Sequence, residues 1–155
     1  MTLYAAQTSV SPERTRAEIE TLLSRYKATT FGYATSPEGA MVQFRLKDRI
    51  VRFTIALPKP EDARITMRGR RRQSAKVPEV VMQMTRQRWR ALLLVIKAKL
   101  EAVESGVATF EEEFLPYILL PDGKTVGHHV LPAVAAAYES GRMPAGLLPA
   151  WGGSE

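Results

Sequence analysis

Val77-Pro78-Glu79-Val80-Val81-Met82-Gln83-Met84-Thr85-Arg86-Gln87-Arg88-Trp89-Arg90-Ala91-Leu92-Leu93-Leu94-Val95-Ile96-Lys97 continues without Gly or Pro to Ser105, where Gly106 follows. Proline is tolerated in a first helical turn and glycine commonly closes a last one, so the stretch predicts one long helix from about Val77 to Ser105. At about 100° per residue, Val81, Met82, Trp89, Leu92, Leu93, Ile96, Leu100 and Val103 share an apolar arc. Arg86, Arg90 and Lys97 share another face. Residues 91 to 96 are apolar all round, which predicts burial on several sides, in the core or against another subunit.

Just upstream lies Arg68-Gly69-Arg70-Arg71-Arg72, then Lys76. This block has no apolar periodicity. It reads as part of a long basic loop, 59–76, that repels itself and stays mobile until an anion meets it. Arginine suits that task, because its planar fork gives a phosphate two hydrogen bonds at once. The plain alternative is a solubilising loop beside a solvated helix face.

Before the loop the period changes to two. Val42, Phe44 and Leu46 alternate with Gln43, Arg45 and Lys47. Val51, Phe53, Ile55 and Leu57 alternate with Arg52, Thr54 and Ala56. Lys47-Asp48-Arg49 turns the chain between them, which predicts a hairpin. Thr29 to Thr35 is rich in strand formers and Ser36-Pro37-Glu38-Gly39 is a turn, so a third strand completes an antiparallel meander. One face is apolar; the other carries Arg45, Lys47 and Arg52. Further upstream, Ser11-Pro12-Glu13 starts a helix that Ile19, Leu22, Leu23 and Tyr26 make amphipathic to about Lys27. Residues 1–10 read as a flexible tail.

Downstream, Thr109 and Glu112 match a capping box over a short helix that Pro116 interrupts. Pro121-Asp122-Gly123-Lys124 is a turn. An Ala-rich helix from Leu131 to Tyr138 ends at Gly141, and Leu147-Leu148-Pro149-Ala150-Trp151 reads as an apolar strap. The expected fold is α+β. It has an N-terminal helix, a three-stranded antiparallel meander, a long central helix and a small helical C-terminal region, all one domain over 11–155.

Composition narrows the function classes. The 155 residues carry 22 Lys and Arg against 16 Asp and Glu, a net charge of +6, which favours a polyanion as partner. With no Cys, thiol nucleophiles, disulfides and thiolate metal sites are excluded. The N-terminus has no leader pattern and no apolar run approaches ~20 residues, so a soluble, cytoplasmic protein is expected.

No catalytic motif is complete, and neither a cofactor nor a metal is expected. Glu111, Glu112 and Glu113 point in different directions on a helix and suit its positive end. His128 and His129 are adjacent, which is the wrong spacing for paired ligands. Among sheet aromatics, Phe44 and Phe53 belong to the core, as does Trp89 on the helix. Tyr33 alone remains as an outward platform for an unpaired base.

Two stretches are familiar. One runs from Pro12 to Arg52, is entered through Ser11-Pro12-Glu13-Arg14-Thr15-Arg16 and includes Phe31-Gly32-Tyr33. Residues 86–123 contain Phe110-Glu111-Glu112-Glu113-Phe114-Leu115 and Leu120-Pro121-Asp122-Gly123. They resemble a group of short uncharacterised proteins of bacteriophages and prophages. The resemblance implies a phage setting, where small basic proteins handle nucleic acid, and supplies no catalytic residues. The order meander then long helix is similar to the core of phage single-strand annealing proteins, at the level of fold alone.

The leading expectation is therefore a phage-type nucleic-acid-binding protein that prefers single strands, acts in recombination or annealing, and forms a homo-oligomer. Arg68, Arg70, Arg71, Arg72 and Lys76 would make flexible phosphate contacts. Arg45, Lys47 and Arg52 on the sheet, with Arg86 and Arg90 on the helix, would make a fixed wall. The alternatives are a structural or host-interaction protein working through apolar surface, and a metal-dependent hydrolase using Glu111 to Glu113 with His128 or His129.

Overall fold

The computed structural model describes residues 3–66, 68–144 and 146. Helix α1, Pro12–Arg25, begins where Ser11 accepts a hydrogen bond from the Arg14 N–H, with Pro12 in the first turn. Strands β1 (Thr30–Ser36), β2 (Gly39–Leu46) and β3 (Arg49–Ile55) form an antiparallel meander in the order β1-β2-β3. Helix α3, Val77–Glu104, is the long helix; between the sheet and it lies a single turn, α2, Pro60–Ala63. Helices α4 (Phe110–Phe114) and α5 (Val126–Ser140) follow. The expected α+β architecture is the observed one.

Register fixes which side chains meet. Phe44 stands opposite Phe31 and Val51, and Val42 opposite Tyr33 and Phe53. Because strand side chains alternate, these residues share one face; Val42, Phe44, Val51 and Phe53 are buried under the helices, while Tyr33 at the β1 edge stays half exposed. Ile19 and Leu23 from α1, with Trp89, Leu92, Ile96 and Leu100 from α3, meet Val42, Phe44, Val51 and Phe53 in one cluster. Phe114 sets its ring edge-on to both Phe44 and Phe53, at 6.4 Å from each, and Phe110 stacks on Phe114 at 4.9 Å. The chain then returns to the sheet: Ile118 bridges Val51, and the Leu119 N–H donates to the Ile50 carbonyl at 2.8 Å. That segment covers part of the β3 edge. The opposite face of the sheet, with Gly32, Arg45 and Thr54 exposed, carries no helix of the core cluster.

Several local expectations change. Residues 3–10 are not a loose tail: Gln83 on α3 donates to the Ala6 and Thr8 carbonyls at 3.0 and 2.9 Å, and Gln87 to the Tyr4 carbonyl at 3.2 Å. Helix α5 starts at Val126, not Leu131, because Thr125 caps it by accepting from the His128 N–H. Pro132 therefore lies inside the helix rather than in its first turn. Gly127 allows this start, since a Cβ there would meet the Pro116 carbonyl oxygen at 2.7 Å. The all-apolar segment of α3 is buried only at Leu92 and Ile96; Leu94 and Val95 remain 42% and 40% exposed. The strap at residues 147–151 lies outside the described residues.

Candidate nucleic-acid interface

The arginine block is paired backbone, not a free loop. The Arg72 N–H donates to the Arg64 carbonyl at 2.7 Å and the Thr66 N–H to the Arg70 carbonyl at 2.8 Å. Ile65 and Arg71 bridge as antiparallel partners, and Gly69, at φ 73°, supplies the left-handed residue of the turn. Residues 64–72 thus form a small hairpin. Ile65 and Thr66 give the block backbone partners that a loop without periodicity does not announce. Ile65 makes only an isolated bridge here, and Met67 lies outside the described residues.

Between Lys59 and Lys76 stand seven cations and two acids. Asp62 is occupied, accepting from the Lys59 N–H at 2.7 Å. Among the described residues none of Arg64, Arg68, Arg70, Arg71, Arg72 and Lys76 has a carboxylate partner. Elsewhere Arg14 and Arg90 pair with Glu18 at 3.6 and 2.5 Å, Arg16 with Glu13 at 3.3 Å and Lys99 with Glu113 at 3.1 Å, while the other cations of the sheet and helices also lack a carboxylate partner among the described residues. What sets the hairpin apart is density: Arg64, Arg68, Arg70, Arg71 and Arg72 fall within one short stretch with no acid among them.

The hairpin meets the first turns of α3 around a cleft of about 560 Å³, lined by Arg64, Arg71 and Arg72 with Val77, Val81 and Met82 among others. Val81 and Met82 belong to the apolar arc read from the sequence. Here they line a cleft instead of joining the core, and Met82 is 50% exposed. The Arg72 Nε is shielded from solvent and has no hydrogen-bond partner among the described residues.

The remaining expected site residues do not join this patch into one wall. Arg45 and Arg52 lie on the sheet face turned away from the core cluster, diagonal to each other across β2 and β3. Arg52 is fastened there, its Nε donating to Gln43 at 3.0 Å and its Nη1 to the Gly123 carbonyl at 3.0 Å. Lys47 leaves that face because it sits in the hairpin turn, at φ 48°; its Nζ lies 5.9 Å from the Phe110 ring centroid. Arg90 is spent on Glu18 between α1 and α3. Arg86 reaches Gln83 at 3.5 Å, and its Nε, like that of Arg72, is shielded and unpartnered among the described residues. Tyr33 faces the helix side of the sheet, not outward, and Arg16 covers its ring at 4.5 Å.

Among the acidic and histidine candidates, Glu112, Glu113 and His129 are occupied locally. The Glu112 carboxylate accepts from the Thr109 backbone N–H at 2.7 Å and from its hydroxyl at 2.8 Å, and the backbone bond chiefly holds it below the usual carboxylate range. Asp122 accepts from the Lys124 N–H at 3.0 Å, the main reason its carboxyl is lowered, and lies 2.6 Å from His129 Nε2. The sequence assigns Asp122 to the turn, and it does serve there; the same turn brings its carboxylate to His129, a meeting that helical spacing does not give because Asp122 precedes α5. Among the described residues no three His, Asp or Glu side chains converge as a metal ion needs.

The chain matches no protein-family model, no curated protein and no solved structure. Among the described residues no helix is long and apolar enough to cross a membrane.

Proposed function

We propose that this protein binds nucleic acid, preferring single strands, through the arginine hairpin at residues 64–72. One observation carries the reading: a backbone-paired turn, bridged at Ile65 and Arg71, holds five arginines without a carboxylate partner among the described residues. Unpaired guanidiniums repel one another, and that arrangement lowers its energy when phosphate arrives. A hairpin this small meets only a few phosphates, and a pliant strand bends to bring more of them than a stiff duplex. The phage setting implied by the resemblance, annealing as the task and self-association belong to the same proposal.

The test is fluorescence anisotropy with labelled single- and double-stranded oligonucleotides over a salt series, on protein freed of nucleic acid. Tighter single-strand binding that weakens steeply with salt is the expected result. Absence of binding to either at low salt retires the reading.

A second reading, an interaction protein working through apolar surface, has its own observation. Helix α5 buries only Gly127 and leaves Leu131 and Tyr138 64% and 88% exposed. Concentration-dependent self-association with no affinity for polynucleotides supports that alternative.

A further inference from the structure

Phosphate contacts alone leave the cleft beside the hairpin without a role. Its size lies within the roughly 300–1,000 Å³ of clefts that take small molecules, at about 560 Å³. Two chemistries meet in it. Its lining combines Arg64, Arg71 and Arg72 from the hairpin with Val77, Val81 and Met82 from the first turns of α3. The neighbouring acids Glu61, Asp62 and Glu79 do not line it. A solvated surface seldom keeps uncovered aliphatic side chains beside a row of guanidiniums. A ligand that satisfies both has an anionic end and a flat, weakly polar body joined at short range.

We infer that the cleft receives one nucleotide of a bound strand, its base against Val81 and Met82 and its phosphate at the arginines. The inference rests on the nucleic-acid reading above. Guanidinium planes stack on base faces as well as forking phosphate oxygens, so the same side chains serve both parts. A paired base is stacked within its duplex and presents no free face, so the cleft also supplies a physical reason for preferring single strands.

The test compares an oligothymidylate with a strand of equal length carrying abasic sites throughout, on the full chain at fixed low salt. The intact strand binds roughly tenfold more tightly, the worth of moving part of one base face out of water. Met82→Gln keeps the length and charge of the side chain and removes its apolar contact; it lowers the ratio severalfold and leaves the abasic affinity unchanged. Met82 is half exposed, so circular dichroism should show the variant folded. Equal binding of intact and abasic strands by the unaltered protein overturns the cleft while phosphate binding stands. A ratio that Met82→Gln leaves intact overturns it too. No binding of either strand overturns the nucleic-acid reading itself, and the cleft with it.

Discussion

The guanidinium of Arg16 lies 4.5 Å from the ring centroid of Tyr33. It also lies 5.3 Å from that of Trp89, so one cation on α1 joins the edge strand β1 to the long helix α3. Exposed cation–π contacts contribute about 0.5–1 kcal/mol each. A double-mutant cycle of Arg16→Ala and Tyr33→Leu, followed by urea unfolding, should show a coupling of that size. Strict additivity would show that the two groups are merely adjacent.

Thr15 is fully buried and its hydroxyl has no hydrogen-bond partner among the described residues. Burying an unpaired hydroxyl is unfavourable, and valine has nearly the same shape without it. Thr15→Val should stabilise the protein by about 1 kcal/mol, raising Tm by about 2–4 °C. A lower Tm contradicts this account of the site.

The β2–β3 turn places Lys47 and Asp48 at φ 48° and 60°, left-handed values that side chains resist. A two-residue hairpin loop of this kind prefers Asn-Gly. Replacing Lys47 with Asn together with Asp48 with Gly should add about 1 kcal/mol of stability. The variant should also leave nucleic-acid affinity close to that of the parent, since Lys47 stands over Phe110 and not beside the hairpin of arginines.

The arginine hairpin and the outer sheet face can be tested separately. Replacing Arg70, Arg71 and Arg72 by Ala should flatten the plot of log affinity against log salt by about two units, three single-strand contacts at roughly 0.7 each. Arg45→Ala, on the far side of the sheet, should leave the slope unchanged. An unaltered slope in the triple variant removes the hairpin from the site.

Acid should act on the turn before α5. The Asp122 carboxyl is held below the usual carboxylate range by the Lys124 N–H first and by His129 second. A lowered folded value means stability present above the unfolded pKa, about 4, and lost as pH falls through the folded one. Asp122→Ala should therefore be less stable than the parent near neutrality, with the gap closing as the pH drops below about 4. A gap that is constant across that window refutes the assignment.

Periodicity reached the elements and stopped at their partners. The 3.6 period of α3 and the alternation in Val42-Gln43-Phe44-Arg45-Leu46 are local properties of the chain, so helix and hairpin were legible. Arg90 shows where this ends. Its place on a basic helix face was readable, but its pairing with Glu18 depends on how α1 lies against α3, 72 residues away in sequence. The hairpin at residues 64–72 was missed for the opposite reason: five arginines hid two short runs whose backbones pair. Tyr33 was placed on the wrong face because β1 lacks strong alternation, and only its register with Val42 decides the matter. Met82 kept its place in the apolar arc, yet that arc outruns the core and ends in a cleft.

The core cluster also sets an order in time. Phe44 and Phe53 take their edge-on partner from Phe114, and Val51 takes its bridging neighbour from Ile118. A chain leaving the ribosome amino end first has made the whole meander and α1 long before those residues appear. Until then the aromatic side of the sheet lacks part of its cover and stays open to other chains. The cover is complete only once residues 110–118 have emerged and packed, and in a chain of 155 residues that comes close to the end of synthesis.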